Sequence, residues 1–229
     1  MLQKDTLSFF DELRLNNHKE WFDKNRSRYE KVKKDYHRLV DEILTGMQKH
    51  VPGISHLKVK DCTFRINRDI RFSRDKTPYK THLGIIISPL GKRMQNAGYY
   101  VHLDPEKGSF AGGGIYMPQG NVIKKIRKEI DVFYDDLLEI IHHENFKNTY
   151  GDIDRSDEIT LVRPPKGYDK SNPAIEFLKL KSFTSSVPIS KSLLTDKNGT
   201  RKVVEKLVIL KPFIDFLNRG VISEDPSVI

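Results

Sequence analysis

The groups best suited to bind an anion lie in one segment, residues 58–82. It reads KVKDCTFRINRDIRFSRDKTPYKTH and carries eight Lys and Arg residues against three Asp, a net charge of +5 out of +9 for the chain. A guanidinium can hold a phosphate or a carboxylate through two parallel hydrogen bonds. The composition of this segment therefore predicts a site for a small anion, built from arginine and lysine side chains.

An alternation of residue types runs through the same segment. Over positions 62–73 the even residues are mostly apolar and the odd residues are polar. Because successive side chains of a strand point to opposite faces, the pattern predicts a strand with Arg65, Asp69 and Arg71 on its polar face. Arg68 falls on the apolar parity, so a bulge in the strand would bring Arg68 to the polar face in place of Arg71.

A second polar face is predicted in GYYVHLD, residues 98–104. Tyr100 and His102 share a parity, and an imidazole can carry a proton near neutral pH. If this face coincides with the arginine face, the sheet presents a pocket for an anion. His102 is then a candidate catalytic residue, and Asp69 is a second one, more suited to orient an arginine than to act as an acid.

The candidate ligand-binding residues come from both faces, from the loop DKTPYK that could close over them, and from the end of the strand after Gly112–Gly114. They are Arg65, Arg68, Arg71, Lys76, Tyr79, Lys80, Tyr100 and Tyr116. The glycine triple lacks the spacing and the Lys-Ser/Thr of a phosphate-binding loop, so it predicts a β-bulge or a close backbone approach. The histidine spacing and the single cysteine predict no metal site, and no cofactor is indicated.

Three functions fit these residues. The first is a domain that binds a small anion, which could also be an enzyme. The second is nucleic-acid binding through a basic surface, although no nucleic-acid motif is recognised. The third is a structural or protein-interaction module in which Arg65, Asp69 and Arg71 form salt bridges across the sheet. The residue types are compatible with all three functions and with any oligomeric state.

Composition restricts the class of protein. The chain has 229 residues, of which 37% are hydrophobic and 31% charged, and its pI is about 9.4. No apolar run approaches the roughly 20 residues of a membrane span, and the N-terminus lacks the features of a secretory signal. One cysteine, Cys62, cannot form an internal disulfide. These features predict a soluble cytoplasmic protein without a membrane partner.

The periodicity of apolar residues predicts an α+β fold, with an antiparallel, meander-like central sheet flanked by helices, among them a long N-terminal and a C-terminal helix. A single domain is expected over 1–229. Its parts are a helical region 1–52, a strand-rich region 57–117, helices 119–146 and a mixed region 158–229. The predicted strands are 57–72, 82–89, 97–104 and 107–117.

Several local signals refine this organisation. Thr6 is predicted to cap the first helix, and Asn17 with Glu20 forms a capping box for the long helix. Apolar residues at steps of three and four predict a buried stripe on the long helix, formed by Tyr29, Val32, Tyr36, Leu39, Ile43 and Met47. Leu83 to Ile87 is apolar on both parities and is predicted to be a central strand. In the last helix, 200–218, a proline is expected to break or restart the helix.

Motifs spread over nearly the whole chain resemble one family. The central motif is R-x-x-R-D-x-R-F at 65–72, followed by D-K-x-P-Y-K at 75–80. The supporting matches are Asn16-Asn17, Trp21-Phe22, Asn25-Arg26, Gly98-Tyr99-Tyr100 with His102, Phe110 with Gly112-Gly113-Gly114, Tyr116-x-Pro118, Pro165-x-Gly167-Tyr168-Asp169 and Leu178-Lys179-x-Lys181-Ser182-Phe183. Together they resemble the bacterial and fungal proteins of domain-of-unknown-function family 2461. The resemblance implies a one-domain α/β protein and no particular activity.

Overall fold

The computed structural model describes residues 1–89, 91 and 96–222. These residues form eleven α-helices and a four-stranded antiparallel sheet, which confirms the predicted α+β class. The helices are α1 (Lys4–Leu15), α2 (Lys19–Lys24), α3 (Arg26–Gln48), α4 (Val59–Cys62), α5 (Gly120–Val132), α6 (Tyr134–His142), α7 (Glu144–Tyr150), α8 (Ile175–Leu178), α9 (Lys191–Thr195), α10 (Gly199–Ile209) and α11 (Lys211–Ile222). The strands are β1 (Leu83–Ile87), β2 (Gly98–Leu103), β3 (Ser109–Ile115) and β4 (Phe183–Ile189).

The sheet has the strand order β1-β2-β3-β4. The strands predicted at 82–89, 97–104 and 107–117 are confirmed as the neighbours β1, β2 and β3. The prediction that β1 is a central strand is wrong, because β1 lies at one end of the strand order. It is nevertheless buried from Gly84 to Ile87, and Thr63 forms a single antiparallel bridge to Ile85 on β1.

The strand predicted at 57–72 is wrong. Residues 59–62 form α4, and after the bridge at Thr63 the chain is irregular. The apolar alternation does not correspond to burial, since Thr63 on the polar parity is buried while Phe64 and Phe72 on the apolar parity are 40% and 95% exposed. The segment instead pairs with itself, because Asn67 forms an antiparallel bridge to Tyr79.

The residues group into two compact units. The first comprises Met1–Lys92, Tyr100–Ala111 and Pro188–Glu205, and the second comprises Arg93–Tyr99, Gly112–Val187 and Lys206–Ile229. The chain passes from one unit to the other within β2, β3 and β4. The single domain expected over 1–229 stays a prediction.

In the first unit, helices α1, α2 and α3 enclose an aromatic core. Its buried members are Phe9, Phe10, Leu13, Phe22, Val32, Ile66 and Tyr79. The apolar stripe predicted for the long helix is confirmed on α3 at five positions, where Val32, Tyr36, Leu39, Ile43 and Met47 are buried. The sixth predicted member, Tyr29, is only partly buried. Steps of three and four residues place these side chains on one face of the helix.

Two predicted helix caps are wrong. Thr6 lies inside α1, and its buried hydroxyl donates to a carboxylate oxygen of Asp35, 2.7 Å away. The side chain of Asn17 does not cap α2, and it bonds instead to both backbone groups of Tyr79. In each case a polar side chain serves a contact distant in sequence, which local spacing does not reveal.

In the second unit, helix α11 packs against α5 and α6. Helix α11 begins at Lys211 and has Pro212 as its second residue, so the predicted restart at this proline is confirmed. The close backbone approach predicted for the glycine triple is also confirmed, since a Cβ on Gly112 would lie 2.5 Å from the carbonyl oxygen of Ser185. Within the described residues, every helix is too short or too polar to cross a membrane.

Candidate functional site

A cleft of about 580 Å³ lies in the first unit. Its walls come from α2 and α3 and from the segments 60–67 and 79–84. Tyr100, on the part of β2 that belongs to this unit, completes the lining. The charged or titratable basic side chains that line it are Arg26, Lys33, Lys60, Arg65, Lys80, His37 and His82. The aromatic side chains are Phe22, Tyr29, Tyr36, Phe64, Tyr79 and Tyr100.

The charges of the cleft are all of one sign. None of the described residues that line it is Asp or Glu. Arg26 forms an ion pair with Asp23 at 2.7 Å, whereas the other four lining cations, Lys33, Lys60, Arg65 and Lys80, have no ion pair with any described residue. Four cations are therefore left without a carboxylate partner around one concavity, an arrangement that favours an anion there.

Neighbouring cations also lower the pKa of two basic groups that line the cleft, Lys80 and His37. Burial, followed by the charge of Arg65, lowers the pKa of Lys80. Burial, followed by the charge of Lys33, lowers the pKa of His37. Both shifts disfavour a further positive charge, and an anion in the cleft would reverse the Coulombic part of each.

Tyrosine hydroxyls form the floor of the cleft beside β1. Tyr36 donates a hydrogen bond to the carbonyl oxygen of Gly84 at 2.6 Å. A Cβ on Gly84 would lie 2.5 Å from the hydroxyl oxygen of Tyr100, so the absence of a side chain at Gly84 makes room for that hydroxyl. Burial raises the pKa of Tyr36 and of Tyr100, which keeps both hydroxyls protonated and able to donate.

The other side of the cleft is held by a loop, residues 67–79, whose ends are joined. The amide of Lys80 donates to the carbonyl oxygen of Ile66 at 2.8 Å, and the amide of Arg68 donates to the carbonyl oxygen of Pro78 at 2.9 Å. Asn17 accepts from the amide of Tyr79 and donates to its carbonyl oxygen, at 3.0 and 2.9 Å. The ring of Tyr79 stacks on Phe22 with centroids 4.0 Å apart. These contacts fix the backbone on which Tyr79 and Lys80 reach the cleft.

The predicted convergence of Arg65 with Arg71 is wrong. Arg65 lines the cleft, but the side chain of Arg71 is 76% exposed and forms a two-point contact with Asp69, with Nη2 2.7 Å from Oδ2 and Nε 3.0 Å from Oδ1. The reason is that residues 65–71 do not form a strand, so the two positions do not share a strand face. Asp69 therefore orients an arginine, as expected, but one that does not line the cleft.

The alternative convergence of Arg65 with Arg68 is also wrong. Arg68 binds inside the 67–79 loop, where its guanidinium contacts Asp75 at 2.5 Å, the Thr77 hydroxyl and the Thr77 carbonyl oxygen. The Thr77 amide and hydroxyl, together with Arg68, lower the pKa of Asp75 to about 2. Arg68 thus stabilises the loop and does not line the cleft.

The remaining predicted residues divide in the same way. Tyr79, Lys80 and Tyr100 line the cleft together with Arg65. Lys76 donates to the carbonyl oxygen of Ile70 inside the loop. Tyr116 is 66% exposed and belongs to the second unit. Four of the eight predicted ligand-binding residues are therefore brought together, and the other four are not.

His102 lies beside the cleft rather than in its lining. Its Nδ1 is 3.5 Å from the Tyr100 hydroxyl, and its ring stacks on Phe110 with centroids 5.1 Å apart. The ring of His82 lies against that of His102, with centroids 4.7 Å apart. One potential ligand atom from each of His82, His102 and Asp104 falls within 4.8 Å of the others. This cluster was not predicted, because His82, just before β1, is distant in sequence from His102 and Asp104 and is brought to them by the pairing of β1 with β2.

The sequence-based analysis also missed the part of the cleft that α3 supplies. Arg26, Lys33 and His37 line the cleft, and Tyr29 and Tyr36 lie between them. The spacing 26, 29, 33 and 36–37 places these residues on one helix face, a signal that was present in the sequence. This signal was missed because the lysines and arginines of the helix, considered without the neighbouring tyrosines, have the pattern of a solvent-exposed helix face.

Comparisons with known proteins identify a family. A search of the curated proteins and a search of the solved structures each returned no match. The model of the family described as "Conserved hypothetical protein (DUF2461)" matches residues 5–216, which include the cleft, the 67–79 loop and all four strands. The chain therefore belongs to the DUF2461 family of conserved hypothetical proteins.

Proposed function

We propose that the cleft of the first unit binds a small molecule that carries a phosphate or carboxylate group. The observation that carries this proposal is the charge of the lining, which contains five Lys and Arg residues and no described acidic residue. Arg65, Lys33 and Lys60 lack an ion pair among the described residues, so they are available to an anionic ligand. Binding would remove the mutual repulsion of these cations.

The size of the cleft indicates a ligand larger than a bare ion. Small-molecule sites typically occupy about 300–1,000 Å³, and the cleft, at about 580 Å³, falls within that range. Six aromatic side chains share the lining with the cations. The ligand is therefore expected to combine an anionic group, bound near Arg65, with an apolar or aromatic part that contacts the rings.

Preorganisation supports the same proposal. The hydroxyl of Tyr36 is oriented by the Gly84 carbonyl oxygen, and Tyr79 is held by Asn17 and Phe22. A ligand that enters such a site orders few side chains, so less of its interaction free energy is lost on binding. Arg65 is the residue expected to contribute most, because a guanidinium can bind both oxygens of the anionic group.

The test compares two arginines of the same segment. Inorganic phosphate and a panel of phosphorylated and carboxylated metabolites would be screened by the shift in Tm of the full chain. The compound that gives the largest shift would then be titrated against wild type and Arg65→Ala by calorimetry. We expect Arg65→Ala to weaken binding roughly 10- to 100-fold, the cost of losing about 1.5–3 kcal/mol of charge-assisted hydrogen bonds.

Arg71→Ala is the matched control. It removes the same side chain from the same segment, but Arg71 is paired with Asp69 and does not line the cleft. The Arg71→Ala variant should bind the selected compound with the same affinity as wild type. A panel without any stabilising compound, or equal losses in the two variants, would contradict the proposal.

A cytoplasmic location is part of the proposal. The chain has one cysteine, Cys62, and it is buried in α4. A protein without a disulfide has no need of an oxidising compartment, which supports the cytoplasm as its place of action.

A further inference from the structure

The cluster of His82, His102 and Asp104 is not explained by the anion cleft. His82 directly precedes β1, His102 lies on β2, and Asp104 follows the end of β2. One potential ligand atom of each residue lies within 4.8 Å of the other two. Among the described residues the imidazole of His82 makes no hydrogen bond, although the side chain is partly buried. Three groups that can each donate an electron pair to a metal ion are thus close together.

We propose that His82, His102 and Asp104 bind a divalent transition-metal ion. Two imidazoles and one carboxylate form a ligand set typical of Zn²⁺, Fe²⁺, Co²⁺ and Mn²⁺, whereas Ca²⁺ and Mg²⁺ prefer oxygen ligands throughout. Three protein ligands leave further coordination positions for water or for a bound molecule. The inference stands independently of the anion ligand, because none of its evidence comes from the charge of the cleft.

The imidazole of His102 is oriented by two neighbouring side chains. The Nδ1 atom of His102 lies 3.5 Å from the Tyr100 hydroxyl. In the tautomer that donates to Tyr100 the lone pair is on Nε2, and the stacked ring of Phe110 fixes the plane of the imidazole.

The carboxylate is also fixed in place. Oδ1 of the buried Asp104 accepts hydrogen bonds from the amides of Glu106 and Lys107, both at 3.0 Å, and lies 3.5 Å from a guanidinium nitrogen of Arg14. No hydrogen bond from a described residue involves Oδ2. The turn after β2 therefore orients the carboxylate and leaves one oxygen for a metal ion.

The site would adjoin the cleft, because His82 belongs to both the cluster and the cleft lining. A metal ion bound there would lie next to the cleft lining. Its two imidazole ligands favour a transition-metal ion over a hard cation that binds mainly through oxygen.

Cobalt absorption tests the proposal directly. The full chain, freed of any affinity tag and treated with chelator, would be titrated with CoCl₂ and its visible d–d absorption recorded, followed by competition with ZnCl₂. We expect absorption that saturates at equimolar cobalt and is abolished by zinc. His82→Asn and Asp104→Asn, which keep similar shape, should each weaken cobalt binding about tenfold or more.

His50→Asn is the control, because His50 is an exposed histidine of the first unit outside the cluster. It should bind cobalt as wild type does. The proposal is overturned if wild type gives no saturable absorption, or if His82→Asn and His50→Asn bind cobalt equally well. Retained helical circular dichroism in each variant would exclude unfolding as the cause of a loss.

Discussion

Arg65 is presented to the cleft by a backbone that is anchored on both sides. Thr63 bridges to Ile85, and the amide of Lys80 donates to the carbonyl oxygen of Ile66. The Nζ atom of Lys80 also donates to the carbonyl oxygen of Arg65 at 3.0 Å. These contacts hold the backbone that carries Arg65, and its guanidinium, which has no salt bridge with a described residue, is available to a ligand.

Gly84 is the residue at which a single methyl group should alter the cleft. In Gly84→Ala the new Cβ would lie 2.5 Å from the Tyr100 hydroxyl oxygen and 3.2 Å from the ring carbon that bears it, so the ring must move. We expect a loss of stability of roughly 1–3 kcal/mol, as for other overpacked sites. Ligand affinity should also fall, because Tyr100 lines the cleft. Chemical denaturation and the calorimetric titration would measure the two effects.

Gly53→Ala provides the comparison for this substitution. A Cβ on Gly53 would have no neighbour within 4 Å, so its stability should stay within about 0.5 kcal/mol of wild type. If Gly84→Ala proved as stable as Gly53→Ala and bound the ligand as tightly as wild type, the close contact between Gly84 and Tyr100 would not matter for the cleft.

At the scale of secondary-structure elements, Asp35 joins the chain start and α1 to α3. Its buried carboxylate accepts from the amide of Gln3 at 2.8 Å, from the hydroxyl of Thr6 at 2.7 Å and from the guanidinium of Arg38 at 2.7 Å. Asp35→Ala leaves these donors without their acceptor. We expect a loss of about 3 kcal/mol in the free energy of unfolding at pH 7.

The effect of Asp35→Ala should depend on pH. Burial opposes ionisation of Asp35, but the hydrogen bonds from Gln3, Arg38 and Thr6 outweigh it and hold its pKa below the ordinary value of 3.8. The ionised carboxylate therefore contributes stability above pH 4, and this contribution is lost as the pH falls through the lower pKa of the folded state. Denaturation curves should show the gap between wild type and variant narrowing below about pH 4.

Asp41→Ala is the matched control on the same helix. Asp41 is exposed and has no ion pair with a described residue, so its removal should change stability by no more than about 0.5 kcal/mol. A gap between wild type and Asp35→Ala that stayed constant down to pH 3 would show that the ionised carboxylate is not the source of the stability.

The elements that were predicted correctly are those specified by local periodicity. The buried stripe of α3 and the strands β1, β2 and β3 follow from spacings of three, four or two residues. The segment 57–72 has such an alternation as well, but contacts with residues outside this segment determine which backbone it pairs with. Asn17 binds Tyr79, which lies 62 residues later in the sequence, and the segment closes into the 67–79 loop. A pattern in one segment cannot reveal which distant backbone it will pair with.

The same limit applies to the candidate site. Arg65, Tyr79 and Lys80 were predicted because they lie in the segment with the highest positive charge. The contributions of Arg26 and Lys33 depend on how α3 packs over that segment, and the juxtaposition of His82 with His102 depends on strand pairing. Residue type predicted the basic and aromatic character of the lining, and tertiary packing determines which residues form it.

At the scale of the whole molecule, the two units are connected by shared strands. Strands β2, β3 and β4 each contribute residues to both units, with the changes at Tyr99–Tyr100, Ala111–Gly112 and Val187–Pro188. A unit that unfolded alone would have to break three strands within their length. The hydrogen bonds of a sheet form cooperatively along its strands, so partial unfolding at these points is unfavourable.

We therefore predict that the chain unfolds in one cooperative transition, as the single-domain prediction requires. The fluorescence of Trp21, the only tryptophan, would report on the first unit, and hydrogen exchange of the amides in α5 and α11 would report on the second. Both probes should give the same denaturant midpoint and the same dependence on denaturant. A lower midpoint for Trp21 than for the helical amides would mean that the first unit unfolds while the second remains folded. In that case the shared strands would not couple the units, and the chain would have to be described as two domains.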